Sequence, residues 1–186
     1  MGHLEFRIMA SRVHSEDELV IKAAESLGQE KKEVVMHREV VAKWVRYSNR
    51  EADPFDNDDD RSVVRQAEIN PEVLVLIDSL HITGDYLSSA AKVIGPGKHF
   101  GLEFELNRKG ALLLRKLTSN NLPDQQTGTQ RSMGIIMDDR LFSAPVIQTT
   151  ISDRVRISGL PEHEVDALLA IMNEGMLPYP VREISE

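Results

Sequence analysis

With 186 residues, 41% of them hydrophobic and 28% charged, the chain has the make-up of an ordinary folded domain, not of a disordered or fibrous one. A formal net charge of −8 argues against a nucleic-acid groove, which needs a concentrated basic face. The lack of any cysteine removes disulfides, thiolate nucleophiles and cysteine-ligated zinc together. No run approaches the roughly 20 apolar residues of a membrane-spanning helix.

Residues 4–10 (LEFRIMA) alternate, with Leu4, Phe6 and Ile8 on one face and Glu5 and Arg7 on the other, which predicts a half-buried strand. Ser15 to Glu18 then read as a helix start, and Leu19 to Leu27 as a short helix that Gly28 ends. Lys31 to Tyr47 is ambiguous: its valines favour strand and its Glu and Lys spacing permits helix, with a strand expected over Ala42 to Tyr47. Glu51 to Asp60 holds six acidic residues in ten, so an exposed loop is expected there. Glu72 to Ile82 reads as a strand, Thr83-Gly84-Asp85 as a turn, and Tyr86 to Ile94 as a short amphipathic piece.

Gly95-Pro96-Gly97 is the strongest punctuation in the chain and is read as the boundary between two lobes. Beyond it come a strand over Phe100 to Leu106, a helix over Arg108 to Thr118 and a polar loop from Asn120 to Gln130. Two apolar runs, Met133 to Met137 and Leu141 to Ile147, flank a tight polar turn. A strand at Arg154 to Ser158, a helix from Glu162 to Asn173 and a last strand at Val181 to Ser185 complete the order. The expected fold class is therefore α+β. An N-terminal α+β head lobe (1–94) would be joined by a linker (95–99) to a ferredoxin-like base (100–186) of β-α-β-β-α-β order.

Candidate chemistry is sparse. Asp138 and Asp139 could form a carboxylate pair, but neighbours on a strand point to opposite faces, so a hairpin turn with positive φ fits better. Asp56, Asp58 and Asp60 mimic the first ligands of a calcium loop, yet Arg61 replaces the turn glycine, and Ala67 stands where the closing glutamate belongs. Histidines 3, 14, 37, 81, 99 and 163 show no metal-binding spacing. Neither a nucleophile elbow nor a phosphate loop is present, so an enzyme reading has no residue to carry it. No cofactor and no metal site is expected.

Five blocks do form a pattern: Leu4-Glu5-Phe6-Arg7, "LHITGDYLSSAAKV" (80–93), "FGLEFELNRKGALLLRKLTSNN" (100–121), "GIIMDDRLFSAPVIQTTISDRVRISG" (134–159) and "EVDALLAIMNEGMLPYPVREISE" (164–186). In this order they resemble the first large extracytoplasmic domain of the SecD/SecDF protein-export family. The residues carrying the family motifs are Leu4, Glu5, Phe6, Arg7, Thr83, Gly84, Asp85, Ser143, Ala144, Pro145, Gly159, Gly175, Leu177 and Pro178.

The resemblance implies a non-enzymatic accessory domain on the periplasmic side of the bacterial inner membrane, a soluble piece of a multi-span protein. Its implied partners are unfolded preprotein chains and, through the parent's membrane part, the Sec translocon and a SecF-type subunit. It would move relative to that membrane part, with Gly95, Pro96 and Gly97 as hinge. The family's DLxGG motif and transmembrane helices have no counterpart here. The alternatives are a ferredoxin-like regulatory or assembly module that binds a partner or small ligand, and a metal-dependent enzyme using the acidic loop.

Overall fold

A computed structural model describes residues 4–47, 62–67, 70–80, 82–95 and 100–176. Its centre is β1 (Leu4–Ile8), which lies antiparallel to β9 (Met133–Met137) in a continuous register from Leu4↔Met137 to Ile8↔Met133. β9 turns back through Asp138 and Asp139 into β10 (Arg140–Ser143). Both turn residues have positive φ, 49° and 57°, the backbone a two-residue hairpin turn requires and one that aspartate tolerates. Arg140 and Leu141 pair in parallel with Arg46 and Tyr47 of β3 (Glu39–Tyr47), and the other side of β3 pairs with β5 (Pro71–Leu76).

The sheet then closes on itself. Met9 bridges Val75, the Ala10 N–H donates to the Leu74 carbonyl at 3.0 Å, and Glu5 and Phe6 pair with Thr83 and Ile82 of β6 (Ile82–Thr83). β1, β9, β10, β3 and β5 thereby form a small barrel, with β2 (Glu33–Met36) added to β3 and β4 (Val64–Gln66) to β5. Closure leaves β1 without a wet face. Leu4, Phe6 and Ile8 face a shared core, while Glu5 and Arg7, expected toward solvent, are only 3% and 4% exposed. The barrel's inner side is filled by Met9, Val45, Tyr47, Val73, Val75, Ile136, Leu141 and Ala144.

A second, three-stranded sheet has the order β11-β8-β7, from β7 (Leu87–Ile94), β8 (Phe100–Leu106) and β11 (Arg154–Leu160). Leu102, Phe104, Val155 and Ile157 point from it into the shared core. There they meet Phe6 and Ile135 together with Leu114 and Leu117 of α2 (Arg108–Ser119) and Val165, Leu168 and Met172 of α3 (Glu162–Met176). Asn107 caps α2: its Oδ1 accepts from the Lys109 and Gly110 N–H groups at 3.1 and 3.0 Å. A third cluster packs α1 (Glu18–Glu25), through Ile21 and Ala24, onto Val34, Ala42, Trp44 and Leu74.

The mixed α+β class holds, but the strands are shared out differently from the two-lobe expectation. The chain order β8-α2-β9-β10-β11-α3 matches the split plan, yet β9 and β10 pair with β1 and β3 instead of with β8 and β11. Residues 100–176 therefore do not close as one sheet. The expected boundary, 95–99, stands in the chain between two strands that pair with each other from Leu87↔Leu106 to Ile94↔Phe100. The piece from Tyr86 to Ile94 is mostly β7, fixed by that pairing. Lys31 to Tyr47 resolves into β2 and β3 around His37 and Arg38, whose φ values of 53° and 72° make a second positive-φ turn without the usual glycine or asparagine.

Candidate functional site

The LEFR stretch builds an ionic cluster within the barrel. Glu5 and Arg7 follow each other on one face of β1, and Arg7 binds Glu5 Oε2 through Nε at 2.9 Å and Nη2 at 2.9 Å. Lys43, from the inner face of β3, reaches Glu5 Oε1 at 2.7 Å and Asp139 Oδ1 at 3.0 Å, tying the cluster to the β9–β10 turn. Burial works to raise the Glu5 carboxyl, but the hydrogen bonds and charges of Lys43 and then Arg7 outweigh it and hold its pKa below the ordinary glutamate value. Burial likewise opposes the Lys43 ammonium, and Glu5 and Asp139 overcome it, so its pKa is raised.

A carboxyl with a folded pKa below its unfolded one stabilises the fold above the unfolded value, and that contribution is lost as pH falls through the folded one. Glu5 therefore contributes stability at neutral pH that disappears below about pH 4.5. The urea midpoint of the native chain should drop more steeply from about pH 6 to about pH 3 than that of Glu5→Gln. Parallel acid limbs would exclude Glu5 as a source of the acid sensitivity.

Two further clusters fix the corners. Arg131 binds the buried Asp17 through Nη1 and Nη2 at 2.8 and 3.1 Å, and Glu16 at 2.7 Å. Arg65 lies over the Trp44 ring, 4.4 Å from its centroid, and holds the buried Glu72 at 2.7 Å. These side chains serve the fold. Asp138 and Asp139 do not converge on a common reacting atom: Asp139 is engaged with Lys43, and Asp138 is among the walls of a cleft of about 470 Å³ with Arg46, Tyr47, Arg140 and Phe142. Among the described residues no group of three His, Asp or Glu side chains could hold a metal.

Among the described residues the strands with a partner on one side alone include β4 and β6 of the larger sheet and, in the three-stranded sheet, β7 and β11. β7 pairs with β8 alone among the described residues, and Ser88, Ser89, Ala91 and Ile94 are exposed along it. Its one charged residue, Lys92, is drawn onto α3 by Glu162 at 2.6 Å and Asp166 at 2.9 Å, with its ammonium 4.8 Å from the Phe100 ring centroid. Natural edge strands are commonly blunted by free lysines or prolines. The eight residues of β7 carry no proline and only this one lysine, and a bulge between Leu87 and Ser89 interrupts only one end.

The sequence motifs occupy structural places around this arrangement. Leu4 and Phe6 lie in the shared core and Glu5 and Arg7 in the ionic cluster. Thr83 ends β6, and Gly84 and Asp85 enter the 3-10 turn that precedes β7. Ser143 ends β10 at a register shift, Ala144 is buried, and the Pro145 carbonyl accepts from the Met133 N–H at 2.9 Å. Gly159 falls in β11 and Gly175 in α3. Pro96, Gly97, Leu177 and Pro178, the acidic loop 51–60, His3, His81, His99 and the expected strand 181–185 lie outside the described residues. Sequence reasoning missed Lys43, Arg131 and the β7 edge. Its one usable signal was a long weakly charged run, Leu87 to Ile94, with a single lysine.

A family model described as the SecDF P1 head subdomain matches residues 61–179, a span that includes 95–99. The protein translocase subunit SecD of Endomicrobium trichonymphae is 32% identical over 117 residues, covering 60% of this chain and 23% of its own length. That of Anaeromyxobacter dehalogenans is 31% identical over 112 residues, or 54% and 17%, and that of Aquifex aeolicus is 31% identical over 106 residues, or 56% and 20%. The chain thus spans about a fifth of the length of these curated relatives. Among solved structures, one described as a membrane component SecDF that enhances protein export superposes with a TM-score of 0.51 at 20% identity, covering 98% of this chain and 69% of the other. SecDF in its super-membrane-facing form gives 0.51 at 19%, covering 96% and 20%. Both share the fold.

Proposed function

The chain belongs to the SecDF P1 head subdomain family, and on that premise we propose that it is the extracytoplasmic part of a Sec accessory subunit that contacts a polypeptide during export. The parent's membrane part would supply the translocon and SecF-type contacts and the driving force. Within the chain, the contact is made by strand addition: an extended polypeptide pairs with β7 and gains main-chain hydrogen bonds that make no demand on sequence. The observation that carries this is the eight-residue strand β7, which pairs with β8 alone among the described residues and whose one lysine is engaged with α3. Among the described residues no helix is long and apolar enough to cross a membrane.

Motion about Gly95, Pro96 and Gly97 is not part of the proposal, because the strands that they join are paired up to Ile94↔Phe100. The barrel offers no comparable docking edge in β1, which pairs with β9 on one side and with β6 and Val75 on the other.

The test places a photo-crosslinking residue at Ala91, and as a control at Lys116 on α2, in the full-length membrane subunit while an arrested export substrate is present. Crosslinks to the substrate are expected from Ala91 and not from Lys116. Equal yields from both positions, or none from Ala91, would overturn contact at β7. Export unchanged by deleting residues 4–176 would overturn the function itself.

A further inference from the structure

Resting on that reading, we propose that the β7 edge selects among extended polypeptides by charge, favouring segments with lysine or arginine at alternate positions. The argument comes from the outer face of the three-stranded sheet. Residues directly opposite in antiparallel strands share a face, so Ser89 and Ala91 of β7 stand beside Glu105 and Glu103 of β8, which stand beside Arg154 and Arg156 of β11. Ala90, Phe104 and Val155 occupy the other, core-facing side.

The outer face is therefore polarised in columns. A column of small side chains borders the open edge, an acidic column comes next, and a basic column lies farthest from β7. Arg154 binds Glu105 and approaches Glu103 at 3.9 Å from the β11 side, so both carboxylates keep their β7 side uncovered by any cation among the described residues. Their side chains retain 40% and 31% exposure.

A strand added to β7 would put its own outward side chains about two strand spacings, or roughly 10 Å, from the acidic column. Alanine leaves that path clear at Glu103, and at Glu105 only the neutral Ser89 hydroxyl, donating to Oε2 at 3.5 Å, stands in it. Lysine or arginine reaching inward from the new strand and glutamate reaching outward from β8 span the distance together, whereas an acidic side chain there meets only like charge. The preference is for polypeptide charge pattern, and main-chain pairing supplies the rest of the affinity.

The test uses the full chain and fluorescent peptides that alternate valine with lysine, with glutamate or with serine. At low ionic strength the lysine peptide should bind about fivefold more tightly than the glutamate peptide, as two cross-strand ion pairs allow, and the gap should shrink at physiological salt. Ala91→Arg should invert the order, an outcome that misfolding cannot produce. N-methylation of alternate peptide amides should abolish binding of all three. Equal affinities with intact sensitivity to N-methylation would overturn charge selection and leave polypeptide contact standing. Indifference to N-methylation, or no binding by any peptide, would overturn strand addition and the proposal with it.

Discussion

Arg131→Met should destabilise the chain by about 3–5 kcal/mol, the scale for removing one partner of a buried ion pair. Asp17 is 3% exposed and receives both Arg131 nitrogens, and its Oδ2 also accepts the Ser11 N–H at 2.9 Å. Without the guanidinium, a carboxylate is left in a low-dielectric corner with one backbone donor and no countercharge. The effect is not a surface ion pair lost, because those contribute little. The Arg131–Glu16 contact at 2.7 Å is of that weaker kind, since the Glu16 side chain is 71% exposed. Urea denaturation should show a lower midpoint with the slope unchanged. Adding Asp17→Asn should recover about half of the loss, because the amide oxygen still accepts from Ser11 and no charge remains buried. A loss below about 1 kcal/mol, or no recovery in the double variant, would show that the pair is not the source of stability at this corner.

What the sequence made legible was local. The strand over Leu4 to Ile8, the helix over Arg108 to Thr118 and the Asp138-Asp139 turn all rest on signals a few residues long, and each element appears in the structure, though the strand is buried on both faces. What stayed hidden was set by distant pairing. Period-two reading assigns Glu5 and Arg7 to solvent, and only the closure of the sheet, through contacts such as Met9↔Val75, turns that face inward. Lys43, the residue that makes burial of Glu5 tolerable, is 38 positions away.

The same logic applies at the expected lobe boundary. Gly95-Pro96-Gly97 announces an interruption of regular structure but not which strands pair across it, and an interruption suits a hairpin connection as well as a linker. The Arg131–Asp17 pair joins residues 114 positions apart and has no sequence signature. The candidate surface was least legible of all, because an edge is defined by which strands pair and not by any local residue pattern.

Phe6→Ala should be of comparable size, about 3–5 kcal/mol, for a different reason. Phe6 is 0% exposed and Phe104 1%, their ring centroids are 5.4 Å apart, and the planes are tilted by 46°. Phe6 belongs to the barrel and Phe104 to the three-stranded sheet, so this contact lies where the two sheets meet. Truncation removes the transfer free energy of the ring and leaves a cavity that rigid strands on both sides cannot close. Phe6→Leu keeps much of the volume and should lose clearly less. A double-mutant cycle with Phe104→Ala separates the pair from the burial: aromatic coupling is worth about 0.5–1.5 kcal/mol, so the two single losses should add to more than the double loss by that amount. Strict additivity would mean that the sheets are held by burial alone, and a single-variant loss under about 1 kcal/mol would place the junction's stability in the helices α2 and α3 instead.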